Sequence, residues 1–296
     1  MKLLSQSVVA VLLLAVAGIS QATEVVRVNS MNYPAWLVRD HQTLPLQPGA
    51  ELRGEDLVRT GDGGRVLIQM ADGSSVKLGE SARFVVQTAA MRDDQGESFL
   101  ESTFQVLRGA FRFTSGFFGN TNTGHRVSVR IGAITAGVRG TDIWGRSNLE
   151  QDLVCLIEGA IAVDSPGEET VNMSDPLSFY VKPKGASPLP VEPVNAEKLA
   201  GWARETELET GHGIAAFDGQ WKLVLISLGN ANRVEPVLQE FHARGFAAKR
   251  MTVELDGLTL HRLVLPGFIS LEAARNARSV VEAQLGIGDA WALQAN

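Results

Sequence analysis

The groups able to do chemistry in this chain are one thiol, a scatter of imidazoles, two glycine-rich turns and a run of arginines. Cys155 is the only cysteine, so no internal disulfide can form. It lies in Asp152-Leu153-Val154-Cys155-Leu156-Ile157, an apolar run of strand character. A thiol nucleophile needs a neighbour that takes its proton. Without one, a cysteine in such a run reads as a small buried hydrophobe. His41, His125, His212, His242 and His261 fall at no spacing that suits zinc. His212, between Gly211 and Gly213, reads as an exposed linker residue. Gly61-Asp62-Gly63-Gly64 lacks the Gly-Lys-Ser/Thr ending and the following helix of a phosphate-binding loop. Arg139-Gly140-Thr141-Asp142 reads as a turn whose polar side chains hold their own backbone. No Gly-x-Ser-x-Gly elbow occurs. Glycan cleavage would need two opposed carboxylates, and the sequence does not pair any. The expectation is a non-enzyme with no cofactor and no metal. Arg126, Arg130, Arg139 and Arg146 leave two readings open: a solvated strand face, or a surface for an anionic envelope partner.

The elements that must position these groups change character along the chain. From Val25 to Val181, short runs rich in Val, Ile, Leu and Phe alternate with turn residues about every ten positions, a β pattern. Asp72-Gly73 marks a tight turn. In Arg126–Ile131 apolar and polar residues alternate, the mark of a half-buried strand. Residues 183–218 form a connector. Pro183, Pro188, Pro190 and Pro193 favour extended chain in its first part. Asn195 can then cap a short helix from Ala196 to about Leu208. From Gln220 the order reads strand, helix, strand, strand, helix, strand. The first helix carries Val234, Val237, Leu238 and Phe241 on one face. Ser270 caps the second, and Gly286 ends it. Two helices on one face of a four-stranded antiparallel sheet is the economical packing for that order.

The N-terminus adds a location. Lys2, the apolar run Val8–Ile19 and Ser20-Gln21-Ala22 have the layout of an export signal cleaved near Ala22. The run is too short to span a bilayer with ease, since spanning takes roughly 20 residues. The expected address is the periplasm, with no stable membrane insertion after cleavage. A net charge of -6 does not favour nucleic acid as a partner.

Two family resemblances follow from ordered motifs. Pro48-Gly49-Ala50-Glu51-Leu52-Arg53-Gly54-Glu55-Asp56-Leu57-Val58-Arg59-Thr60-Gly61 leads a series. Ala71-Asp72-Gly73-Ser74, Leu107-Arg108-Gly109-Ala110-Phe111, Thr135 to Asp142 and Glu158 to Val163 continue it. Together, across about residues 25–182, they resemble the FecR family. That implies an all-β, solenoid-like domain outside the cytoplasm. The family's sigma-factor signalling uses a cytoplasmic segment and a membrane helix, in place of which this chain opens with an export signal. Residues 218–296 resemble the SPOR family. The resemblance rests on Trp221–Leu228, Phe241 to Phe246, His261 to Phe268 and Ser270 to Ala274. It implies an α+β, ferredoxin-like domain that binds peptidoglycan, specifically denuded glycan strands, across its open sheet. The matching positions are Val224, Ser227, Leu260, Arg262 and Trp291. Val224 and Ile226 stand where the family usually has glutamine and glycine, and Pro266-Gly267 inverts its usual order. An aliphatic face offers sugars fewer hydrogen bonds, so contact with a protein is the other reading.

The organisation expected is a signal at 1–22, a FecR-like β-domain at 23–182, a proline-rich linker with a short helix at 183–218, and a SPOR-like domain at 219–296.

Overall fold

The computed structural model describes residues 26–94, 97–116, 125–138 and 140–294, and the side chains of these except 89–94, 97–100 and 125–126. The expected export signal, the Arg139 backbone and the Arg126 side chain fall outside that description. The chain is mostly β, with 50% of residues in strands and 17% in helices.

The first half is built from strands of alternating burial. In Asp56–Thr60 the odd-and-even pattern puts Asp56, Val58 and Thr60 inward. In Ser75–Leu78 it puts Val76 and Leu78 inward. Two sheets result. One runs from Val26–Asn32 through Arg65–Gln69 and Ser75–Leu78 to the long strand Glu97–Thr114. It continues through Asp142–Ser147 and Gln151–Glu158 to Ser178–Pro183. The other contains Gln42–Pro45, Ala35–Arg39, Asp56–Thr60 and Arg83–Asp94. It ends with His125–Ile131, Ile134–Val138, Ile161–Asp164 and Val171–Met173. The 18-residue Glu97–Thr114 serves both sheets. Val28, Ile68, Phe84, Phe111 and Val129 enter one apolar cluster from both sheets. The strand content agrees with the all-β expectation for this half.

The connector is packed rather than loose. Helix α1 (Ala196–Thr206) starts where the Asn195 side chain accepts a hydrogen bond from the Lys198 backbone N–H at 2.8 Å. It covers the outer face of the first sheet. Trp202 stacks on Trp144 with centroids 4.9 Å apart and planes 3° from parallel, and meets Phe179 edge-on at 5.6 Å. Leu153, Cys155 and Val181 complete this second cluster. Just beyond the helix, Glu207 pairs with Lys77 at 2.6 Å and Glu209 with Arg65 at 2.8 Å. Glu205, in the last turn, pairs with Arg146 at 3.0 Å.

The strand ladder passes unbroken into the second half. The short strand Ala215–Ala216 pairs with Val26–Asn32 on one side and with Leu258–Phe268 on the other. Around this seam Tyr33 stacks near Phe246 and Phe268. The indole N–H of Trp36 donates to the Ala243 carbonyl at 3.0 Å. Gly245 has φ +84, and a Cβ there would lie 2.7 Å from the Trp36 ring, so only glycine suits both the turn and the close approach.

In the second half the strands lie in the order Trp291–Gln294, Trp221–Leu228, Leu258–Phe268, Lys249–Leu255, all antiparallel. Helices α2 (Val234–Ala243) and α3 (Leu271–Leu285) pack on the face that carries Leu223, Leu225, Leu263 and Leu265. A 3-10 turn, Ala231–Arg233, precedes α2, and Asn230 caps it by accepting from the Asn232 N–H. Asn232, which the sequence also offers as a cap, sits inside that turn instead. At α3 the expectation is met: Ser270 accepts from the Ala273 N–H at 3.0 Å, and Gly286 closes the helix.

Candidate functional site

The face of the C-terminal sheet turned away from α2 and α3 gathers the expected residues. Opposed residues in an antiparallel pair share a face. Val224 lies opposite Val264 and Trp291, Ser227 opposite Arg262, Arg262 opposite Met251, and Leu260 opposite Val253. Val224, Ser227, Leu260, Arg262 and Trp291 thus stand on one surface, separated in sequence by up to 67 positions yet joined by strand register.

They do not stand there equally. Trp291 is 39% exposed. The Arg262 guanidinium lies 5.5 Å from the centre of its ring, a cation–π contact. The Arg262 Nε is buried and makes no hydrogen bond to the described residues. Ser227 is exposed and Leu260 half-buried. Val224 is 0% exposed, although it is outside the apolar clusters under the helices. Sealed between Val264 and Trp291, it supports the surface and cannot itself touch a ligand.

Strand alternation also brings Lys222, Lys249, Met251, Val253, Leu293 and Pro266 to this face. Its charged side chains are Lys222, Lys249 and Arg262, and no described strand position turned this way carries a carboxylate. Such a surface can stack a flat or puckered ring on indole and donate hydrogen bonds from lysine, arginine and serine. It offers no acid–base pair. His261 turns inward, where its Nδ1 lies 3.1 Å from an Arg250 Nη2. The two-residue alternation could have found Lys222, Met251 and Val253 from the sequence, once the register was known.

The other reactive groups are structural. Cys155 is fully buried beneath α1, and burial pushes its thiol up to about 12. Native protein is expected not to react with a disulfide reagent near neutral pH, and one thiol should titrate on unfolding. Stoichiometric reaction of native protein would show that α1 opens readily. His212 is not an exposed linker residue. It is half-buried, lies against Gly63, and its Nε2 is 3.3 Å from Glu209. The reason is the packed connector, which sequence could not foresee. The polar side chains of Arg139-Gly140-Thr141-Asp142 do not hold their own backbone as expected: Asp142 accepts two hydrogen bonds from Arg112 on the neighbouring strand, at 3.0 and 2.7 Å, and the Thr141 hydroxyl is buried with no partner among the described residues. The arginine set separates: Arg146 is engaged by Glu205, whereas Arg130 is exposed beside a cavity of about 420 Å³ shared with Thr135 and Asp164.

Residues 56–162 match the FecR protein family model, inside the segment whose motifs resemble that family. This supports a FecR-family domain at residues 56–162. No curated protein matches it. Two crystal structures of an anti-sigma factor candidate from Parabacteroides distasonis ATCC 8503, at 2.50 and 1.65 Å, are similar at 12% and 13% identity. They cover 81% of this chain and 98% and 99% of their own, each with a TM-score of 0.38. No helix of the described residues is long and apolar enough to cross a membrane.

Proposed function

We propose that this chain is an exported, non-enzymatic adaptor of the bacterial envelope. In this reading the FecR-family domain engages a protein partner in envelope signalling or assembly, and the C-terminal sheet binds peptidoglycan glycan strands. The observation that carries the glycan reading is the half-exposed Trp291 ring under the Arg262 guanidinium, with exposed Ser227 on the same face. A pyranose can lie on the indole while its hydroxyls accept from Arg262 and Lys222. The ferredoxin-like label is supported by the strand order and by both helices lying on one face. The solenoid-like label for the first half has support only in its many short strands. The periplasmic address rests on Lys2, Val8–Ile19 and Ser20-Gln21-Ala22.

The second reading is contact with a protein and no glycan affinity. It is favoured by Leu260, Met251 and Val253 beside exposed Leu255 and Leu258 on the same part of the sheet.

Co-sedimentation of the full protein with purified sacculi, before and after amidase treatment, separates the two. Retention should rise after stem peptides are removed. Trp291→Ala or Arg262→Ala should weaken retention roughly tenfold, the usual scale for a central interface anchor. If the protein stays in the supernatant under both conditions, the glycan reading fails and the protein reading stands. Release of soluble muropeptides would instead mark an enzyme.

A further inference from the structure

Strand Lys249–Leu255 forms one edge of the C-terminal sheet, pairing only with Leu258–Phe268 among the described residues. Its turn has two residues, Asp256 with φ 51 and Gly257 with φ 76, the geometry of a type I′ hairpin. In such a hairpin Leu255 and Leu258 form a hydrogen-bonded pair, and bonding then alternates along the ladder. Lys249, Met251, Val253 and Leu255 turn their backbone groups toward Leu258–Phe268. Arg250, Thr252 and Glu254 turn theirs away. All three are exposed.

An open edge invites another strand, and charged side chains normally discourage it. Here the charges have a specific arrangement. Lys249-Arg250-Met251-Thr252-Val253-Glu254-Leu255, set antiparallel to itself about Thr252, places Arg250 opposite Glu254 on both sides of the dyad. Met251 meets Val253, and Lys249 meets Leu255, whose exposed side chain the lysine stem can cover. The backbone agrees independently: the residues that must exchange hydrogen bonds in that register, Arg250, Thr252 and Glu254, are the ones whose N–H and C=O point outward. Shifting the register by two residues one way puts Arg250 opposite Thr252 and loses the paired charges; the other way puts Glu254 opposite Thr252 and sets Arg250 against Asp256, which lies in the turn beyond the strand's end.

We propose that this edge joins a second copy of the same chain, giving a two-fold dimer with one sheet continuous across the dyad. An antiparallel dyad lies perpendicular to the sheet. Both Trp291–Arg262 faces would therefore look the same way and form one extended surface. The contact is small and half-polar, so the association should be concentration-dependent.

Sedimentation of the full protein over a dilution series tests this. Wild type should pass from monomer to dimer as concentration rises. Thr252→Pro removes an N–H that the chain's own ladder does not use and is tolerable at an edge. It should weaken association by at least tenfold while the thermal melt stays near wild type. Arg250→Glu and Glu254→Arg should each be monomeric alone, because like charges then oppose each other across the dyad. Mixed in equal amounts they should restore a dimer, since every opposed pair again has opposite signs. Wild type that is monomeric at every attainable concentration overturns the proposal. So does a dimer indifferent to Thr252→Pro, or a mixture of the two charge variants that fails to associate. Glycan binding by a monomer would leave the functional reading intact while the dimer fails.

Discussion

Trp202→Ala should destabilise the protein by roughly 3–5 kcal/mol, the range for emptying a well-packed aromatic site. Trp202 is buried, stacked flat on Trp144 and edge-on to Phe179, with the Lys198 ammonium 5.0 Å from its ring. The alanine would leave a cavity over Cys155 and Leu153 and deprive α1 of its largest anchor, leaving only Leu199 against the cluster. The remaining hold on the segment is mostly ionic. Lys77, Arg112 and Arg146 face Glu207 and Glu205, but these glutamates remain partly open to solvent, and pairs of that kind contribute about 0–1 kcal/mol each. Denaturant midpoints would measure the loss. Protease cleavage within residues 195–209 should accelerate with it, and the Cys155 thiol should become reactive in the folded protein. A loss under about 1 kcal/mol would mean that the ion pairs, not the aromatic stack, hold the helix.

Asn32→Leu is expected to cost roughly 2–4 kcal/mol despite its near-equal size, because it leaves buried backbone groups without partners. Asn32 is 0% exposed. Its amide donates to the carbonyls of Glu209 at 3.0 Å and Gly213 at 2.9 Å, and its oxygen accepts from the Glu209 N–H at 2.9 Å. It thereby fastens the turn that leads into Ala215–Ala216, the strand linking both halves. The loss should appear as a lower melting temperature, with hydrogen exchange quickening first at Glu209 and along Ala215–Ala216. Unchanged exchange there would mean that the Tyr33–Phe246–Phe268 contacts suffice to hold the seam.

Both effects act on the segment that the sequence presents as connector. The proline run at 183–193 reads as an open linker, yet Glu192–Pro193 adds a short strand pairing to Ser178 and Phe179, and α1 lies flat on the sheet. Trp202 carried a signal, as the one aromatic residue in a mostly polar helix. What receives it, Trp144, is 58 residues away, and no local rule joins them. Val224 shows the same limit at the candidate site. Alternation places it on the outer face, but only the tertiary structure reveals that Val264 and Trp291 close over it.

The sequence by itself determined the features that depend on near neighbours. These are the β character of the first half, the strand–helix order of the second, the caps at Asn195 and Ser270, and the turns at Asp72-Gly73 and Asp256-Gly257. Each follows from periodicity, or from a side chain that satisfies backbone within a few residues. The FecR motifs were legible for the same reason, since turn residues mark them. The tertiary structure alone decided what depends on pairing across long separations: Ser30 with Ala216, Trp144 with Trp202, Val224 with Trp291. Those pairings set which exposed residues share a face and which edge stays open. They also make the segment between the halves a seam in one sheet, because a buried ladder and an aromatic stack form only when both sides are already in place.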